Sequence, residues 1–204
     1  MRKLILQMQT TVDGYVSAAQ EGIRWQVWDW GPDWAWDRPL REYFNSVLDD
    51  VGTILLSRPM IEEGYLDHWR RTAEEHTGDP EYRFAQKITD AEKVVVTNGN
   101  MSRKWEKTTV SYGDLSDAGT KLKQGDGDAI ISFGGAGFAE SLIANGLPDE
   151  IQMFVNPTAV GVGRSIFGSA RNHGLQLGHI ASQSYACGIV VNRYAVKSGS
   201  VHAY

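Results

Sequence analysis

Short apolar, β-branched runs alternate along this chain with stretches whose apolar residues fall three and four apart, which predicts strands alternating with helices. Residues 4–12 read as a buried strand ending at the turn signal Asp13-Gly14. Leu40, Phe44, Val47, Leu48 and Val51 then predict an amphipathic helix over 38–50, with Asp37 and Pro39 at its start and Gly52 past its end. Residues 53–57 are a second strand, and Arg58-Pro59 opens a helix. The polar stretch 65–79 reads as loop, after which Asp79-Pro80-Glu81 caps a short helix carrying Phe84 and Ile88. Strands are expected at 93–97 and 107–110, and a helix at 114–124 with Leu115, Ala118 and Leu122 inward. The strand 129–133 breaks at three glycines, and Phe138, Leu142 and Ile143 restore the helical period up to Gly146. A half-buried strand at 150–157, a glycine-rich loop at 160–167 and an antiparallel pair at 175–181 and 186–196 close the chain. This order predicts an α/β fold of three layers: one mixed, mostly parallel sheet of about eight strands with helices on both faces.

Length and composition narrow the picture. At 204 residues the chain is expected to form a single domain, 1–204. A net charge of -5 argues against nucleic acid or an anionic membrane as the main partner. Cys187, the single cysteine, excludes an intramolecular disulfide and suits a reducing compartment. No apolar run has the length of a membrane span, and Met1-Arg-Lys leads straight into a strand, so a cytoplasmic location is expected.

The chemistry centres on Gly134-Gly135-Ala136-Gly137. Between a strand and a helix, missing side chains let a ligand reach the main chain, where free N–H groups favour phosphate oxygens. The alternative is a turn needed only for close strand-to-helix packing. Glu140 stands where a Rossmann fingerprint has Gly or Ala, no acidic residue follows on a second strand, and a Gly-Lys-Ser/Thr sequence is missing. The first two features argue against a standard dinucleotide fold, and the third excludes a phosphoryl-transfer loop. The strand ends at Ser57, Thr97 and Gly134 are expected to converge on one edge, with Arg58 either meeting an anion there or solvated. Trp25, Trp28, Trp30, Trp34 and Trp36, interleaved with Asp29, Asp33 and Asp37, are either a satellite core or flat walls for a planar heterocycle. His68, His76, His173, His179 and His202 make no His-x-x-x-His pair, so no metal is expected, although His173 and His179 can share a strand face. A Gly-x-Ser-x-Gly elbow is missing, and Cys187 sits in an apolar strand as an inert thiol.

Taken in order, Thr11-Val-Asp-Gly14, Leu55-Leu-Ser-Arg-Pro-Met60, Val94-Val-Val-Thr97, the 134–137 turn, Gly146-Leu-Pro-Asp-Glu-Ile151 and Asn156-Pro-Thr-Ala-Val-Gly-Val-Gly-Arg-Ser-Ile-Phe167 resemble the dihydrofolate reductase-like superfamily. The likeness runs over nearly the whole chain and lies closest to the reductase domain of riboflavin biosynthesis and related stand-alone proteins. It implies NADPH as cofactor. By position Thr10 would meet the nicotinamide, and Ser57, Arg58, Pro59 and Met60 the phosphate and ribose region. Thr97 and Asn98 would lie by the adenine ribose, and Gly134, Gly135, Ala136, Gly137, Phe138 and Ala139 would cradle the pyrophosphate. It also implies a cis bond between Gly134 and Gly135, and a homodimer.

This chain departs from that pattern in places. Phe133 replaces a substrate-contacting Glu, and Met60 replaces a Thr after the second strand. The position of the pterin-protonating acid holds Leu40 or Arg41, leaving Asp37 as the nearest carboxylate and Asp13 in reserve. Helix capping is the competing role for Asp37. The resulting expectation is an NADPH-dependent reductase passing hydride to a C=N or C=O carbon of a pyrimidine or pteridine, with Trp34, Trp36 and Phe133 against the small-molecule substrate. The alternatives are a nucleotide-binding or regulatory module without turnover, or a dihydrofolate reductase-type enzyme with another acceptor.

Overall fold

The computed structural model describes residues 1–31, 34–101, 105–168 and 174–197. Asp33, His173 and His202, singled out above, lie outside the described residues. The elements in chain order are β1 (Leu4–Thr11), β2 (Ser17–Ala18), α1 (Arg38–Asp49), β3 (Val51–Ser57), α2 (Arg58–Glu62), α3 (Tyr65–Glu75), a 3-10 turn (Pro80–Tyr82), α4 (Arg83–Asp90), β4 (Glu92–Thr97), β5 (Thr108–Tyr112), α5 (Leu115–Gln124), β6 (Ala129–Phe133), α6 (Ala136–Ala144), β7 (Glu150–Asn156), β8 (Gly163–Arg164), β9 (Leu177–Ser184) and β10 (Val190–Val196). The α/β class follows directly. Two compact units share these elements, Met1–Leu4 with Arg38–Gly135 and Ile5–Asp37 with Ala136–Tyr204.

In the first unit the strand order is β5-β4-β3-β6, all parallel. β3 is central because Ile54, Leu55 and Leu56 are fully buried, as a strand covered on both faces requires. α1 buries Leu40, Phe44 and Leu48, spaced four apart, and one polar residue, Asn45. The Asn45 amide donates to the Glu81 carbonyl at 2.9 Å and its oxygen accepts from the Phe84 N–H at 2.7 Å, so α1 is tied to the start of α4. Phe84 then meets Phe44 and Trp69 edge to face, at 5.3 and 5.1 Å between ring centroids.

Residues 65–75, expected as loop, form α3. Only Trp69 and Ala73 of this helix are buried, and it starts after Gly64 at a φ of 96° with no side-chain cap, so the sequence carries neither a broad apolar stripe nor a start signal. Asp79 caps the following turn as its sequence requires, accepting from the Glu81 N–H. At the other end of α4, Lys93 and Lys107 donate to the carbonyls of Thr89 and Asp90. Both ammonium groups oppose the negative end of the helix dipole, and burial pushes the Lys93 amine below its ordinary pKa.

In the second unit the order is β1-β7-β10-β9, with β1 and β7 parallel and the other two pairings antiparallel. The expected C-terminal antiparallel pair is β9 and β10. Between them the units carry eight strands in the two ladders, most of them parallel. The glycine-rich segment contributes β8, which pairs with β2. A polar row crosses the sheet: Gln7 donates to Gln152 at 3.2 Å, Gln152 to Glu150 at 2.8 Å, and Arg193 grips Glu150 at 2.7 and 3.2 Å. Glu150 is fully buried, so its charge relies on these donors. Among the described residues no helix is long and apolar enough to cross a membrane.

Arg193→Met removes both guanidinium bonds from that buried carboxylate. A loss of about 3 kcal/mol in unfolding free energy is expected by urea denaturation, partly recovered when Glu150→Gln is added. A loss below about 0.5 kcal/mol would class the pair with exposed ion pairs.

Candidate functional site

The parallel register of the first unit decides what meets at its carboxyl edge. Ser57 lies opposite Val96, and Leu56 opposite Phe133, so Ser57, Thr97 and Gly134 end three neighbouring strands at one level. Their convergence, expected from the sequence, is a consequence of this register. Ser57 accepts from the Met60 N–H at 3.4 Å and caps α2, with Pro59 in its first turn. Thr97 accepts from the Gly99 N–H at 3.0 Å, which folds the turn after β4 back on itself. The side chain of Arg58 lies in that turn: a Cβ at Gly99 would stand 1.9 Å from its Nη1, so the guanidinium occupies space that this glycine leaves open. Arg58 is also paired to Glu62 at 2.8 Å and is part-exposed, while Asn98 beside it is exposed.

At the next strand, Gly134 and Gly135 join β6 to α6. Gly135 is exposed, and a Cβ there would meet no atom within 4 Å, so its main chain faces open space. Close packing does not explain this glycine. All peptide bonds among the described residues are trans, which corrects the cis bond expected at Gly134–Gly135. Two flexible residues span the gap between Phe133 and Ala136 with ordinary trans geometry, and a cis bond costs about 2.5–4 kcal/mol more. Phe133 itself is buried, its ring 5.9 Å from that of Tyr65, whose hydroxyl is pushed well above its usual pKa by burial.

The other expected site residues lie in the second unit. Thr10 is 1% exposed, and its hydroxyl has no hydrogen-bond partner among the described residues. A buried hydroxyl left unpaired carries a desolvation cost, and a polar ligand atom is one way to remove it. Trp34 and Trp36 are covered by neighbours: Trp28 stacks on Trp34 at 5.0 Å, and Trp36 on Phe154 of β7 at 5.4 Å. The indoles form a satellite core, the first of the two readings given above. Trp30, with its ring 4.7 Å from Trp28, holds a φ of 69° that bulky residues rarely adopt. Ala136, Gly137, Phe138 and Ala139 form the first turn of α6, with Ala139 buried.

Both expected acids hold main chain. Asp37 accepts from the Cys187 N–H at 2.8 Å, fixing the turn between β9 and β10. Asp13 accepts from the Thr11 hydroxyl and from the N–H groups of Val160 and Gly161, the latter at 2.7 Å. The Thr11 hydroxyl, with those two amides, holds the Asp13 carboxyl below the usual aspartate range. Among the described residues no group of three or more His, Cys, Asp or Glu could hold a metal ion.

Sequence reasoning missed Asn156 and Gln9. Asn156 is fully buried; its oxygen accepts from the Val27 N–H at 2.8 Å and its amide reaches Gln9 and the carbonyls of Thr10 and Phe154. Gln9 in turn donates to the Trp28 carbonyl at 3.0 Å. These two side chains pin the tryptophan loop to the ends of β1 and β7. The only signal for them was polar residues at inward positions of otherwise apolar strands.

Comparison with known proteins follows the same lines. The pattern of the RibD C-terminal domain family matches residues 2–191. The uncharacterized protein YyaP of Bacillus subtilis is 22% identical over 93% of this chain and 92% of its own length. The riboflavin biosynthesis protein RibD of Corynebacterium ammoniagenes is 25% identical over 79% of this chain, which spans 44% of that longer protein. A pyrimidine reductase-like protein from Corynebacterium diphtheriae superposes with a TM-score of 0.61 at 12% identity, covering 97% and 93% of the two chains. Dihydrofolate reductase from Enterococcus faecalis, solved with NADP(H), gives 0.57 at 12% identity over 96% and 97%. At these identities the structural likeness establishes the dihydrofolate reductase-like fold.

Replacing Asp13 tests its role as a loop anchor. A lowered folded pKa means stability present above the unfolded aspartate value, about pH 4, and lost as pH falls through the lower folded value. Asp13→Asn is therefore expected to melt below wild type at pH 7, with the gap closing under about pH 4. A gap independent of pH would exclude the carboxylate as its source.

Proposed function

The chain belongs to the RibD C-terminal domain family, and on that footing we propose that it is an NADPH-dependent reductase acting on a pyrimidine or pteridine. Its reaction would resemble that of 5-amino-6-(5-phosphoribosylamino)uracil reductase. Among the relatives, the C. ammoniagenes protein is one of riboflavin biosynthesis, and the E. faecalis enzyme was solved with NADP(H). The observation that carries the reading is the strand edge: a bare main chain at Gly135, two hydroxyls at Ser57 and Thr97, and a guanidinium laid against Gly99. These groups suit the phosphates and hydroxyls of a nucleotide.

A bound nicotinamide supplies hydride to a C=N or C=O carbon of the acceptor. The protein's share is to bind, orient and keep water away. Arg58 is the counter-charge for a 2'-phosphate, since a planar fork can hold two of its oxygens. The Thr10 hydroxyl has hydrogen-bonding capacity left over for the nicotinamide end. Asn156 and Gln9 hold the tryptophan loop in one place. Asp37 is the candidate to move a proton to the acceptor.

A module without turnover is the second reading, and a specific observation favours it: Asp13 and Asp37 both spend acceptor capacity on backbone N–H groups. The two readings part on absorbance. Turnover predicts loss of nicotinamide absorbance when pterins or pyrimidines are added with NADPH; a binding module gives none.

Titration with NADPH and NADH, followed by tryptophan fluorescence, tests the cofactor. Arg58→Gln is expected to weaken NADPH about tenfold or more while leaving NADH unchanged. Equal loss for both nicotinamides would remove Arg58 from 2'-phosphate recognition. Asp37→Asn is expected to lower kcat at least about tenfold and flatten the pH profile. An unchanged profile would leave Asp37 as the anchor of the Cys187 turn.

A further inference from the structure

Arg164 lies across the first turn of α6. A Cβ at Gly137 would stand 2.9 Å from its Nη2 and 3.5 Å from its Cζ, so the guanidinium rests against main chain that this glycine leaves bare. Its backbone is fixed by the β2–β8 ladder, in which Ser17 pairs with Arg164 and the Val16 N–H donates to the Arg164 carbonyl at 2.9 Å. Gly163 beside it has no room for a side chain, because a Cβ there would stand 2.1 Å from the Ser17 carbonyl oxygen and 2.9 Å from the Tyr15 Cβ. The arginine is therefore held in place through its main chain.

Its charge faces Glu140, one turn along α6, at 3.7 Å from Nη2 to Oε2. At that separation the two attract without a hydrogen bond. Gly168 makes room for this carboxylate, since a Cβ there would collide with Glu140 Oε1. The pair opens onto a cavity of about 470 Å³ lined also by Ser17 and Ser165. That space is large enough for a phosphate or diphosphate, and it is walled by two hydroxyls and a guanidinium.

We infer that Arg164 grips a phosphate group of the ligand over Gly137, and that Glu140 is its resting partner, which sets affinity by competing for the guanidinium. The inference deepens the nucleotide reading and rests on it for the identity of the ligand. Its content is separate, because Glu140 is assigned an opposing role. Removing the arginine weakens the ligand, whereas removing the carboxylate's charge strengthens it. A merely structural ion pair would not give opposite signs.

The test uses wild type, R164Q, R164K and E140Q, each titrated with NADPH and separately with inorganic pyrophosphate by fluorescence and calorimetry. Expected are Kd values raised about tenfold or more by R164Q, partly restored in R164K, and lowered several-fold by E140Q. Melting points should stay close to wild type, because both side chains are part-exposed at 59% and 30%. Should R164Q fail to fold, the sign of the E140Q effect decides. Kd values within twofold of wild type in R164Q and E140Q overturn the inference. Wild type that ignores NADPH yet binds pyrophosphate through Arg164 removes the nucleotide reading and sustains this one. Binding of NADPH that is insensitive to both variants does the reverse, and binding of neither probe removes both.

Discussion

Parallel pairing in register is the constraint from which the candidate site follows. Each strand of a parallel ladder ends with its carboxyl terminus on the same side, so residues that are distant in sequence stop at one level. In the first unit β3 is bracketed by β4 and β6, and the register places Ser57 beside Val96 and Leu56 beside Phe133. A slip of one residue would move every side chain to the other face. The fully buried Ile54, Leu55 and Leu56 oppose such a slip, because any shift exchanges their contacts for less complete ones. Core packing in the middle of β3 thus fixes the position of Ser57 at its end.

Polar side chains inside the second unit perform the corresponding task for its loops. A loop has no ladder of its own, and its N–H groups need acceptors. Asp13 supplies them at Val160 and Gly161, Asp37 at Cys187, and Asn156 at Val27. Each is a single side chain holding a segment remote in sequence, from 129 positions away at Asn156 to 150 at Asp37. A carboxylate committed to a neighbouring hydroxyl and to main-chain donors resists protonation: the Thr11 hydroxyl first, with the Gly161 and Val160 amides, holds the Asp13 carboxyl below the usual aspartate range. Anchoring a loop and delivering a proton are therefore competing demands on one carboxylate.

The sequence made most of this architecture legible because its periodicities are local. Strands β3, β4 and β6 carry runs of β-branched and apolar residues, β7 mixes apolar residues with polar ones as a half-buried strand does, and α1 and α6 carry apolar residues at helical spacing. α3 was not legible, since its two buried residues are only Trp69 and Ala73 and no cap marks its start. At the site, glycines and strand ends were readable; the reasons for individual glycines were not. Gly135 faces open space, whereas Gly99 and Gly137 each make room for a guanidinium that comes from elsewhere in the chain. That distinction depends on tertiary contacts, which no local pattern contains. The roles of Asn156 and Gln9 escaped for the same cause, because their partners lie on another strand and in the tryptophan loop.

The two arginines share one arrangement. Arg58 lies against Gly99 and pairs with Glu62, and Arg164 lies against Gly137 and pairs with Glu140. A free arginine side chain loses about 2 kcal/mol of rotamer freedom when it is fixed, which would be subtracted from any binding it performs. Holding the guanidinium against bare main chain with a glutamate removes part of that loss before a ligand arrives. The glutamate also competes with an incoming anion, so the arrangement exchanges some affinity for an ordered, rapidly available cation. The difference lies in geometry: Arg58 hydrogen-bonds Glu62 at 2.8 Å, whereas Arg164 stands 3.7 Å from Glu140. Arg164 therefore gives up less when it turns to a phosphate, and of the two it is the cation more readily available to a ligand.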